Sequence, residues 1–126
     1  MRDACEVLRL HPQREFPVAS VGESHYQDAL ETACGGRKED GENREVNVVL
    51  ALEDSNPYDS DAVRVEVHGR TVGYLNRQDA RTYRELLSSV GCSEELECRG
   101  VVRGGWDRGP RDRGSYGIYL DLPIYE

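Results

Sequence analysis

Four side chains within one short stretch, Tyr58, Asp59, Tyr74 and Arg77, are of the types that can hold an unpaired nucleotide. Aromatic rings offer a sequence-tolerant platform for unstacked bases, at about 1–3 kcal/mol per stacked base. A carboxylate can accept a hydrogen bond from a terminal 3′-hydroxyl, and a guanidinium can hold a nearby phosphate. Each residue also has an ordinary structural use. Tyr58 and Asp59 can close a turn and cover a barrel end, Tyr74 can be an outward strand tyrosine, and Arg77 a solvated helix residue.

The elements that must position these residues are well marked. Pro57 fixes its own φ and pushes Asn56 out of the helical region, and Asn and Asp side chains bond nearby backbone, so Asn56-Pro57-Tyr58-Asp59 reads as a turn. Val63, Val65 and Val67 then alternate with Arg64 and Glu66, and His68-Gly69 separates them from Thr71-Val72-Gly73-Tyr74-Leu75 like a two-residue hairpin loop. Asn76 offers an N-cap, Asp79 supports the first turn, and Ala80, Tyr83, Leu86, Leu87 and Val90 recur at helical spacing until Gly91.

The rest of the chain reads mostly as strands. Phe16 to Gly22 is a short strand candidate, and His25 to Cys34 a short helix closed by Gly35-Gly36. Residues 35–44 contain no apolar side chain and read as a mobile loop. Period-two strands follow at Val46 to Leu52, Leu96 to Val102 and Tyr116 to Leu122, with a Gly/Arg-rich hairpin loop over 103–114. About six short strands and two helices predict a mainly β fold, a small and strongly curved sheet or barrel. The expected domain runs from 16 to 122, between an N-terminal extension (1–15) and a C-terminal tail (123–126).

Composition narrows the classes. With 126 residues, 37% of them hydrophobic and 32% charged, the chain is long enough to close one core without metal or disulfides. No run approaches a membrane span, and the acids and arginines of the first ten residues break up any secretory h-region, so the expected location is cytoplasmic. Cys5, Cys34, Cys92 and Cys98 show no C-x-x-C pair and read as buried or idle thiols. His25, His68, Asp59 and Asp61 lack metal-ligand spacing, and there is neither a phosphate loop nor a nucleophile elbow. No metal, no cofactor and no catalytic activity are expected.

Taken together, Val21-Gly22-Glu23-Ser24-His25-Tyr26-Gln27, the Asn56-Pro57-Tyr58-Asp59 turn, the Ala62-Val63-Arg64-Val65 and Val72-Gly73-Tyr74-Leu75 strands and the helix opening Asn76-Arg77-Gln78-Asp79-Ala80 resemble a HIRAN domain. The most specific part is Asn-Pro-Tyr-Asp followed about 15 residues later by Val-Gly-Tyr-Leu. The resemblance implies a modified OB-like β-barrel with accompanying helices. Such domains are found alone in bacteria or fused to fork-remodelling and nuclease machinery, and the best-understood ones grip the free 3′ end of single-stranded DNA.

By that resemblance Tyr58 and Asp59 match the base-stacking and hydroxyl-binding positions, Tyr74 a rim position, and Arg77 a phosphate-contacting position. Ser24, His25 and Tyr26 fall beside them. Ser24 and His25 depart from the animal fork-remodelling relatives, which carry an arginine and an aromatic residue there. Serine can still donate to a phosphate, and histidine can still stack. The implied function is a non-catalytic module for single-stranded DNA in repair or fork processing.

A net charge of −8 argues against a broadly electrostatic nucleic-acid binder. From Arg99 to Arg113, however, five arginines face only Asp107 and Asp112, a local excess of +3. Arg103, Arg108 and Trp106 of that segment are therefore candidate strand contacts, with Trp106 either stacking on bases or anchoring the loop. The competing class is a protein-interaction module that docks a helicase or nuclease partner through Trp106 and the acidic surface.

Overall fold

The computed structural model describes residue 16, residues 18–92 and residues 95–122. The expected N-terminal extension and C-terminal tail lie outside the described residues.

Valines at alternate positions put one face of the central meander into the core. Strand β2 (Glu42–Leu52) pairs antiparallel with β3 (Val63–Val67), and β3 with β4 (Arg70–Tyr74). Val63, Val65 and Val67 are buried while Arg64 and Glu66 between them stay partly wet. The β3–β4 loop is His68-Gly69, with φ of 52° and 76°, the left-handed pair that a tight two-residue hairpin requires.

On its other side β2 pairs with β5 (Leu96–Gly104), and β5 with β6 (Tyr116–Leu120), which carries the two-residue β1 (Val18–Ala19) at the sheet edge. The strand order is β1-β6-β5-β2-β3-β4, antiparallel throughout. Strand β2 begins at Glu42, within the stretch that the sequence reads as a loop. Glu42 to Glu45 pair with Gly104 to Val101 while Asn43, Arg44 and Glu45 stay exposed, so backbone ladder bonds hold a segment that hydrophobic periodicity cannot mark.

The two edges of the sheet meet through one short segment. Ser20 N–H donates to the Ile118 carbonyl of β6 (3.1 Å), and Val21 exchanges both backbone hydrogen bonds with Tyr74 of β4 (2.7 and 2.9 Å). The result is a mainly β, OB-like half-barrel of six strands with two helices. Gly73 permits this closure: a Cβ there would lie 3.0 Å from both the Val21 carbonyl and the Ser20 hydroxyl.

Helix α1 (Gln27–Cys34) buries Ala29, Leu30 and Cys34 on the barrel. Its Gln27 amide both donates to the Tyr116 carbonyl (3.0 Å) and accepts from the Tyr116 N–H (2.7 Å). A separate 3-10 turn, Glu23–His25, precedes it, so the α-helix starts two residues later than its apolar spacing suggests. Helix α2 (Arg77–Val90) has the bounds that its caps predict: Asn76 accepts from the Asp79 N–H (2.7 Å), and Gly91 ends it in the left-handed region. Its Tyr83 and Leu87 join Val48, Leu50 and Ile118 in the core.

Cys34 and Cys98 are free, and burial, with the Asp121 charge adding to it, pushes the Cys98 thiol up to about 12. Cys92 is disulfide-bonded, which corrects the reading of four unlinked thiols. Disulfide pairing depends on proximity in the fold, which sequence spacing does not encode. No helix among the described residues is long and apolar enough to cross a membrane.

Removing the α2 cap by Asn76→Ala is expected to lower stability by about 1 kcal/mol, read as a reduced denaturant midpoint at constant m-value.

Candidate nucleic-acid interface

The turn after β2 is organised by Asn56. Its side-chain carbonyl accepts from the Tyr58 N–H (2.8 Å) and the Asp59 N–H (3.1 Å), while its amide donates to Glu53 (3.0 Å). Held this way, Tyr58 stands 89% exposed, so its ring covers no part of the barrel. Asp59 uses one carboxylate oxygen to accept from the Asp61 N–H (3.0 Å). The other lies 3.9 Å from Arg77 Nε at the start of α2, a loose approach that leaves room for a further donor.

Glu53, absent from the residues that the sequence singles out, joins the turn to the barrel. Besides Asn56 it accepts from Arg64 Nη1 of β3 (2.9 Å) and from the Tyr74 hydroxyl of β4 (3.1 Å). Burial opposes its ionisation, but hydrogen bonds from Asn56, Arg64 and Tyr74 and the Arg64 charge outweigh it, holding the carboxyl below its ordinary range. Burial likewise opposes the Arg64 charge, and Glu53 and Glu66 overcome it. Tyr74 responds the other way: burial first, then its bond to ionised Glu53, push the phenol up to about 12. Only a glutamate three residues before the turn hinted at this, because its other partners lie 11 and 21 residues away in sequence.

Tyr26 extends the group, with its ring 6.4 Å from that of Tyr74, and His25 meets Tyr26 edge-on at 6.3 Å. Ser24 and His25 are exposed on the 3-10 turn. Glu23 of that turn is seated by a hydrogen bond from the Ser20 hydroxyl (2.8 Å), and burial raises its pKa more than that bond and the Ile118 backbone lower it. Contacts thus run from His25 through Tyr26, Tyr74, Glu53 and Asn56 to Tyr58, Asp59 and Arg77.

Trp106 and Arg108 lie apart from that line, whereas Arg103 borders it, because its register partner Gly117 on β6 sits beside Glu23 of the 3-10 turn. Arg103 pairs across the ladder with Asn43, beside the first residue of β2, whereas the turn follows its last residue, Leu52. Eleven strand residues, about 33 Å of extended chain, separate the two ends. Trp106 is 36% exposed, donates from its indole N–H to Asp112 (2.9 Å), and lies so close on Gly114 that a Cβ there would be 2.3 Å from the ring. Part of the segment's positive charge is paired. Arg113 pairs with Asp107 (3.0 Å), Arg108 with Asp112 (3.7 Å) and Asp40 (4.0 Å), and Arg103 lies over the Tyr119 ring. Charge counting over the segment already included Asp107 and Asp112 but not Asp40, nor Glu45, which pairs with Arg99 (3.3 Å).

The family model for the HIRAN domain matches residues 15–103, well over half of the chain, and the chain belongs to that family. No curated protein and no solved structure matches it. Among the described residues no group of His, Cys, Asp and Glu is arranged to hold a metal ion.

Tyr74 holds its proton more tightly folded, at about 12, than in an unfolded chain, where phenols titrate near ~10. Its contribution to stability is therefore complete below pH ~10 and lost as pH rises through the folded value. In ultraviolet difference titrations Tyr74→Phe is expected to delete the component near pH 12, and Glu53→Gln to move that component down.

Proposed function

We propose that this HIRAN domain is a non-catalytic module that binds single-stranded DNA at its free 3′ end, in repair or replication-fork processing and in a cytoplasmic setting. The observation that carries the reading is the Asn56–Asp59 turn. It holds an 89% exposed tyrosine and a carboxylate oxygen with no close partner next to the guanidinium of Arg77. The general role of the family as a DNA-binding module supports the same reading.

In this account the terminal base stacks on Tyr58, the 3′-hydroxyl donates to the open oxygen of Asp59, and Arg77 holds the phosphate of the last nucleotide. The N-terminal amides of α2 favour the same anion. Tyr74 acts from the rim through its ring, since its hydroxyl is bonded to Glu53. Ser24 and His25 offer a hydroxyl donor and a stacking ring beside Tyr26, in place of a fixed cation. Trp106 and Arg108 belong to the opposite end of β2 and are left out of the strand contact, while Arg103, beside Gly117 and Glu23, borders the 3-10 turn.

Fluorescence anisotropy at low salt tests the proposal with oligonucleotides ending in a 3′-hydroxyl or a 3′-deoxy sugar. Tighter binding of the free end is expected, and equal binding to both removes end recognition. Tyr58→Ala is expected to cost about 1–3 kcal/mol of binding with an unchanged Tm, and Arg77→Glu to weaken every sequence alike. Trp106→Ala is expected to leave affinity unchanged. Failure to bind either end at low salt would favour the protein-docking alternative.

A further inference from the structure

The cations among the described residues are mostly closed by neighbouring acids. Arg37 is held by Glu31, Lys38 and Arg44 by Glu42, Arg64 by Glu53, Arg84 by Asp54 and Arg99 by Glu45. Beside the Asn56–Asp59 turn two guanidiniums escape this. Arg77 is 73% exposed and only 3.9 Å from its nearest carboxylate, and Arg81 is exposed with no partner among the described residues. They stand four residues apart on α2, hence on neighbouring turns of one helix face, about 6 Å along its axis.

The turn lies against this same face. Asp59 approaches Arg77 at one end, and Arg84 donates to the carbonyls of Asp61 (2.7 Å) and Ala62 (2.9 Å) at the other. Arg81 falls between these two anchors in sequence. Beyond it the face offers no further free cation: Arg84 Nη1 is bonded to Asp54 at 2.7 Å, and the next position at four-residue spacing is Glu85.

We infer that Arg81 is a second phosphate-binding residue, and that the strand leaves the turn along α2 with its penultimate phosphodiester on Arg81. Resting on the 3′-end reading above, this adds a direction and a length. The free 3′ end sits at Tyr58 and Asp59, the 5′ side runs toward the second turn of α2, and the footprint ends where Arg84 is closed and Glu85 turns the charge negative.

The test measures anisotropy with 3′-hydroxyl oligothymidylates of increasing length across a salt series. For wild type, affinity is expected to stop rising at about three nucleotides, and the slope of log K on log salt to be about −1.4, as for two neutralised phosphates of a single strand. Arg81→Gln is expected to halve that slope to about −0.7 while preserving the preference for a free over a 3′-deoxy end. Arg70→Gln, which alters an exposed arginine at the far end of the β3–β4 hairpin, is the control and is expected to change neither. An unchanged slope in Arg81→Gln, or an equal loss in Arg70→Gln, overturns the second phosphate site and leaves end recognition standing. Loss of the end preference in wild type itself overturns both.

Discussion

One ionised carboxylate ties the candidate site to the barrel. Glu53 receives hydrogen bonds from the turn (Asn56), from β3 (Arg64) and from the closing strand (Tyr74), and hydrogen bonds to a charged group contribute roughly 1.5–3 kcal/mol each. Partial burial makes that charge costly if any donor is lost, which fixes all three donors in one arrangement. Asn56, anchored in this way, aims the backbone N–H groups of Tyr58 and Asp59 and hence their side chains. Tyr74 is anchored by the same carboxylate while its backbone closes the barrel against Val21. Site geometry and barrel closure therefore share one support.

The same arrangement bears on how so acidic a domain would hold the proposed strand end. Exposed charges more than about 10 Å apart are largely screened at ordinary ionic strength, so the local pattern around the turn counts for more than the total of −8. Most of the described arginines have an acid partner and contribute little outward field. The two that stay open beside the turn are adjacent on one helix face, which suits a short strand end and not a long duplex.

Much of the fold was legible in the sequence because its signals are local. Asn76 and Gly91 bound α2, His68-Gly69 makes the hairpin, and the valine alternation of β3 follows burial. Less legible was whatever depends on partners far apart along the chain. The polar opening of β2 is strand only because β5 lies beside it. Glu53 matters only because Arg64 and Tyr74 arrive from other strands. Of the candidate contacts, His25, Tyr26, Tyr58, Asp59, Tyr74 and Arg77 share one connected region bordered by Arg103, while Trp106 and Arg108 sit at the other end of β2. Sequence counts Asp112 beside Arg108 but not Asp40, which approaches it from another loop.

The most direct measurement is an amide-shift titration by nuclear magnetic resonance with a short oligonucleotide carrying a free 3′-hydroxyl. The account predicts the largest shifts at the amides of Tyr58, Asp59, Asp61 and Arg77, with Trp106 to Gly114 unmoved. Shifts confined to Trp106 to Gly114, with the turn silent, would contradict it.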